Sequence, residues 1–165
     1  MKPLENTEVL RVNRFMQFIS EICDILNIRE PDISFDCSMF PRRTTLAMAD
    51  IKNRVLHLRQ NAKEVVTEAG GVLDVSLCFS ISHELRHIWQ ADTALDYWFR
   101  DYSSDSSDIN AYNLQRAEID ANAFADMACI ALFGVETIFA DMSPEVGQKI
   151  VERRRELEKI YTDKQ

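Results

Sequence analysis

The chain has 165 residues, 46% of them hydrophobic and 28% charged, with a formal net charge of −8. That length and mixture suit one folded domain spanning residues 1–165, and they exclude a disordered or membrane-embedded class. The acidic balance argues against direct nucleic-acid contact, which needs a clustered basic footprint; Arg153-Arg154-Arg155 sits among glutamates as a solvated helix face. Met1 to Asn6 lacks the apolar core of a signal peptide, and no apolar run is long enough to cross a bilayer. Cys23, Cys37, Cys78 and Cys129 form no C-x-x-C pair and sit in apolar segments. They read as small buried hydrophobes, so a cytoplasmic compartment is expected and a cysteine-based zinc site is not.

Residues 7–27 carry Val9, Val12, Met16, Ile19, Cys23 and Leu26 at steps of three and four, the period of an amphipathic helix. Asn27 and Arg29-Glu30-Pro31 end it. The period then shortens. Ile33, Phe35 and Cys37 alternate with polar residues as a strand, 44–50 is a second strand, Lys52-Asn53 a turn, and 54–60 a third strand with Leu56 and Leu58 on one face. A small antiparallel meander is expected. His57 falls on the other face of that third strand, where a lone histidine beside Arg59 is usually just polar surface.

Residues 61–68 suggest a helical turn or loop, and Gly70-Gly71 a break. A helix over 72–90 follows, with Leu73, Leu77, Ile81, Leu85 and Ile88 as its buried stripe and Ser76, Phe79, Ser80, His83 and His87 on a neighbouring face. Residues 91–110 read as a polar connection. Tyr97 to Tyr102 is its aromatic half, and Ser103 to Asp108 is exposed and lacks the pattern of a calcium loop. An alanine-rich helix over 113–133 stops at Gly134 and carries Glu118, Asn122, Ala125 and Cys129 on one face. Ser143-Pro144 starts a last helix to about Tyr161, with Val146, Ile150, Leu157 and Ile160 or Tyr161 turned inward.

The chemistry gathers in Ser82-His83-Glu84-Leu85-Arg86-His87, an H-E-x-x-H sequence that uses two of only three histidines. Helical spacing puts His83 and His87 one turn apart on one face, within reach of a single metal ion, and Glu84 about 100° round the helix. Two surface histidines at chance spacing would be the plainer reading. A catalytic zinc site commonly takes three protein ligands and leaves a fourth position open. With no third histidine well placed, a carboxylate is expected. Glu118 is favoured, because an acid on an alanine-rich helix needs a partner if buried. Asp120 competes but cannot point the same way as Glu118. Asn122, one turn after Glu118, can orient a ligating imidazole, and Asp126 is a further candidate for that task.

H-E-L-R-H followed by E-I-D-A-N-A-F-A resembles the gluzincin metallopeptidases, and most closely the small ImmA/IrrE-type proteins of bacteria and their mobile elements. The resemblance is carried mainly by residues 72–134, and Arg86 departs from it where such proteins often have glycine. It implies an α+β, minimal gluzincin-like domain: N-terminal helix, small three-stranded mainly antiparallel sheet, motif helix, glutamate helix and C-terminal helix. It also implies Zn2+ held by His83, His87 and Glu118, with Glu84 as the base that activates water for peptide hydrolysis. Tyr112 is the first choice for a further oxyanion donor and His57 the second. The expected partner is a protein or peptide, bound by addition to the outer strand. The alternative is a non-catalytic zinc-containing regulator that binds a protein such as a transcriptional repressor. Glu84 favours the enzyme, because a pure binding module needs no base.

Overall fold

The computed structural model describes residues 6–59, 65–66 and 72–163. Helix α1 (Asn6–Leu26) leads into strands β1 (Asp32–Ser34), β2 (Ala47–Asp50) and β3 (Val55–Leu58). A short hairpin, β4 (Val65–Val66) and β5 (Val72–Leu73), precedes α2 (Val75–Phe99), and α3 (Ile109–Asn113), α4 (Arg116–Phe133) and α5 (Pro144–Thr162) complete the order. Among the described residues this is an α+β arrangement of five helices with a small mixed sheet. No helix among them is long and apolar enough to cross a membrane.

Helix α1 ends where Asn27 takes a left-handed conformation (φ 53°), which asparagine tolerates, and its N–H returns to Asp24 O. Its buried face is broader than the expected stripe: Phe15, Phe18 and Ile22 join Ile19, Cys23 and Leu26 in the core. The side chains of Val9 and Val12 lie outside the described residues.

The sheet is not a meander. Its order is β1-β3-β2, with β1 parallel and β2 antiparallel to β3. The strand with both leucines fully buried, Leu56 and Leu58, takes the centre, where both of its edges are paired. β1 is also shorter than the alternation suggests. Ser34 Oγ accepts the N–H of Asp36, and Asp36 Oδ1 accepts that of Ser38, so side chains bend the backbone away from the ladder. Phe35 is left exposed. The turn at Lys52-Asn53 forms as expected, with Asp50 accepting from Asn53.

Val72 and Leu73 pair with Val65 and Val66 as strands rather than opening the helix, so 61–68, expected as a helical turn or loop, is a strand at its two described residues. Gly70-Gly71 lies outside the described residues. The helix starts after Asp74, whose buried carboxylate accepts the N–H of Leu77 at 2.9 Å. It also runs past Gln90 to Phe99, so the aromatic half of 91–110 is helical as far as Phe99. A kink falls at Ala94 (φ −162°, ψ 65°), directly after Thr93, whose hydroxyl bonds back to Trp89 O at 2.8 Å. Such back-bonding bends helices. The bend sets Trp98 against Trp89 and Phe99 against His87.

The expected 113–133 helix is divided. Asp108 caps α3 by accepting from Asn110 and Ala111, and Gln115 leaves helical geometry before α4 begins. α4 packs along α2, and its Ala117, Ala121, Ala125 and Cys129 are essentially without exposure; small side chains let two backbones come close. It stops at Gly134, whose φ of 65° suits glycine. α5 starts on Ser143 and Pro144 and buries Val146, Ile150 and Leu157; Tyr161, not Ile160, completes that face. Cys23, Cys78 and Cys129 are buried and unpaired, and burial pushes the Cys23 and Cys129 thiols up to about 12.

Candidate metal centre

Three side chains from two helices converge between α2 and α4. His83, His87 and Glu118 each bring one ligand atom within 4.8 Å of the others, a group that could hold a metal ion. His83 Nε2 lies 3.3 Å from Glu118 Oε2 and His87 Nε2 3.3 Å from Glu118 Oε1, while the two Nε2 atoms are 3.0 Å apart. The helical period supplies the histidine pair. The small residues of α4 supply the approach that brings Glu118 to it, with its side chain only 2% exposed.

The far nitrogens settle which face of each ring is available. His87 Nδ1 is 2.8 Å from Gln90 Oε1. The Gln90 amide nitrogen donates to Ala117 O at 3.0 Å and Asp120 Oδ2 at 2.9 Å, both pure acceptors, so Gln90 Oε1 must be the atom facing the ring. His87 therefore carries its proton on Nδ1 and turns Nε2 toward the cluster. His83 Nδ1 is 3.1 Å from Asn122 Oδ1, which orients that ring the same way. Two basic nitrogens thus face each other and a buried carboxylate. That donor set needs a cation, either a proton or a metal.

Without a metal the cation is a proton. Burial pushes the His87 pKa down, but the Glu118 carboxylate beside it, together with Glu84 and Gln90, outweighs burial, and the net result is about 9. Burial likewise works against ionised Glu118, yet the His87 and His83 imidazoles hold its carboxyl well below the usual range.

Two tyrosines close the other side. Tyr102 Oη is 2.7 Å and Tyr112 Oη 2.9 Å from Glu118 Oε1, and the hydroxyls are 2.8 Å apart. Tyr112 was singled out in the sequence and Tyr102 was not. Tyr102 lies just after α2, in edge-to-face contact with Phe99. Burial first, and the Glu118 charge second, raise both phenols above their ordinary pKa, so both stay protonated.

Glu84 reaches in another direction. Its Oε2 accepts the Ala49 N–H of β2 at 2.8 Å, which ties the motif helix to the edge of the sheet. Its charge still acts on His87 and Tyr112. Ala47 and Ala49 share a sheet face with Leu58 and Leu56, their partners on β3, and their small side chains let α2 lie close.

The remaining candidates go elsewhere. His57 is buried on the sheet face opposite Leu56 and Leu58, with Nδ1 3.1 Å from Asp36 O, so it is neither polar surface nor part of the cluster. Asp120 is not a competing ligand. It is held by Arg86 at 2.7 Å and Arg153 at 2.8 Å, and toward the histidines it meets the Gln90 amide. Asp126 accepts the Thr137 N–H and pairs with Arg154, both at 2.8 Å, and so anchors the connection between α4 and α5 rather than a ligand. Gln90 was missed. The available signal was a polar residue one turn after His87 on a helix with a buried stripe.

No protein-family model matches the chain, and no curated protein or solved structure matches it either.

Proposed function

We propose that this chain is a zinc-dependent metallopeptidase of the gluzincin kind, with His83, His87 and Glu118 as ligands and Glu84 as general base. The observation that carries the reading is the pair of imidazole Nε2 atoms, 3.0 Å apart, aimed with their Nδ1 positions already engaged at a carboxylate buried between two helices. Zinc, when bound, supplies Lewis acidity toward water and the scissile carbonyl. Nitrogen and carboxylate donors of this number suit it.

The remaining tasks fall to the chain itself. Glu84 accepts the proton of the attacking water and hands it to the leaving amine. Its bond to Ala49 N–H fixes one carboxylate oxygen and leaves Oε1 for that transfer. The edge of β2 fits an extended peptide. Arg59 N–H bonds Leu46 O, so by the alternation of an antiparallel ladder the main-chain groups of Ala47 and Ala49 point outward, and with Ala49 N–H held by Glu84 the Ala47 groups and Ala49 O are left for pairing. The two phenols share two protons among three contacts. One hydroxyl can therefore stay on Glu118 while the other donates to the developing oxyanion.

The alternative, a non-catalytic zinc-containing regulator that binds a protein partner such as a transcriptional repressor, gains one point. The Ala49 bond gives Glu84 a structural use, so the presence of this residue no longer argues for catalysis by itself. The deciding experiment loads the chain with zinc and follows cleavage of a peptide library, beside Glu84→Gln. Peptide cleavage that falls about 10²- to 10⁴-fold in Glu84→Gln, with zinc content unchanged, supports the enzyme. Full zinc loading with no cleavage of any peptide by the wild type supports the regulator.

A further inference from the structure

We infer that Gln90 is the positioning residue of His87, and that it holds the ring through a relay anchored on the C-terminal helix. The inference rests on the cluster being a metal site. The relay is continuous: His87 Nδ1 to Gln90 Oε1 at 2.8 Å, Gln90 Nε2 to Asp120 Oδ2 at 2.9 Å, and Asp120 Oδ1 to Arg153 Nε of α5 at 2.8 Å. A second branch fixes Asp120 from α2 itself, where Arg86 Nε and Nη2 meet its two oxygens at 2.7 and 3.2 Å.

Each link is constrained by what it can donate or accept. A guanidinium only donates, so Arg86 and Arg153 hold Asp120 as an acceptor. Asp120 and Ala117 O then consume both protons of the Gln90 amide, and the amide oxygen can only accept. The proton on His87 Nδ1 follows, and Nε2 is left free for a ligand. The anchor is rigid because Arg86 has no room to move. It is 2% exposed, lies 3.6 Å from the centre of the Trp89 ring and 5.1 Å from that of Phe124, and its Nη1 meets Tyr161 Oη at 3.2 Å. Arg86, the residue at which the motif departs from the gluzincin pattern, thus serves the ligand that directly follows it on its own helix. α5, which contributes no ligand, serves it through Arg153.

The test is zinc affinity of the full chain, first stripped of metal and then titrated with Zn2+ against a chromophoric chelator. Gln90→Met keeps length and removes both polar functions; Gln90→Glu keeps the acceptor for His87. The expected result is a loss of about 10- to 100-fold in zinc affinity for Gln90→Met, the range seen when the outer partner of a ligating histidine is removed. Gln90→Glu should recover most of that loss, although both variants lower the thermal stability of the metal-free chain. Wild-type affinity in Gln90→Met, with only stability reduced, would overturn the positioning role. A wild type that does not bind zinc sinks the metal site itself, a distinct failure. If Gln90→Met does not fold, long-range ¹H–¹⁵N spectra of wild-type imidazoles decide: the inference needs His87 protonated on Nδ1, and a proton on Nε2 with the metal on Nδ1 refutes it.

Discussion

Two carboxylates of α4, one on each side of its contact with α2, are buried to the same degree, Glu118 at 1% and Asp120 at 1% exposure. They are neutralised in opposite ways. Asp120 meets guanidinium groups of Arg86 and Arg153, cations that cannot lose their charge. Glu118 meets two imidazoles and two phenols, whose only positive charge is a proton that can leave. A permanent cation makes a strut. A replaceable one makes a site, because a metal can take the proton's place without leaving a buried charge unpaired.

Exchanging the two carboxylates' fates tests the comparison most severely. Glu118→Ala should abolish stable zinc binding while leaving a folded chain, read by metal analysis and circular dichroism. Full zinc occupancy in that variant would remove Glu118 from the ligand set. Asp120→Ala should do the reverse to the fold, costing about 3–5 kcal/mol in urea unfolding, since Arg86 would be buried without its counter-ion. A loss below about 1 kcal/mol would mean that the strut carries little of the structure.

pH separates the two sides next. In the metal-free chain the His87 pKa is raised to about 9, against an ordinary value of 6.5. Its contribution to stability is therefore fully present below about 6.5 and lost as pH rises through about 9, at no more than about 1.4 kcal/mol per pH unit for one proton. Zinc affinity should climb over the same interval, by roughly tenfold per unit, as the competing proton departs. Asp120 behaves oppositely. Burial opposes its charge, but Arg86 and the hydrogen bonds to it lower its pKa below the ordinary 3.8, so its contribution is present above that value and lost only as pH falls below it. Melting temperatures of the metal-free chain from pH 6 to 10 should fall in the wild type and stay nearly level in His87→Ala. Parallel curves for the two would break the comparison.

The smallest effect belongs to the phenols. Tyr102→Phe and Tyr112→Phe each remove one of two protons that share three contacts, so each single change should slow peptide cleavage by only about threefold, and the double change by about 10², well beyond the roughly tenfold of two independent effects. Additive single effects, with no excess in the double variant, would show that the pair does not share the task.

Much of this was legible in the chain before any contact was known. The steps of three and four through Ile19, Cys23 and Leu26 and through Leu77, Ile81, Leu85 and Ile88 mark buried helix faces, and the H-E-x-x-H spacing aligns His83 with His87. Caps at Ser143-Pro144 and Gly134 are local chemistry and fell where expected. Strand extents were less legible, because Ser34 and Asp36 side chains compete with the ladder over a few residues. The helix ran on to Phe99 because a back-bonded Thr93 bends it without ending it.

What the sequence alone determined is therefore everything that one element's own period dictates: where helices lie, which face is apolar, and that two histidines can share an ion. Tertiary structure alone decided that β3 rather than β2 is central, and that Gln90, Tyr102 and Arg153 belong to the same network as Glu118, the carboxylate the sequence had favoured. The physical reason is that periodicity reports the angle of a side chain about its own axis. It does not report the offset and rotation of the neighbouring helix, which depend on how the two surfaces pack; α4 lies along α2 with Ala117, Ala121, Ala125 and Cys129 all buried.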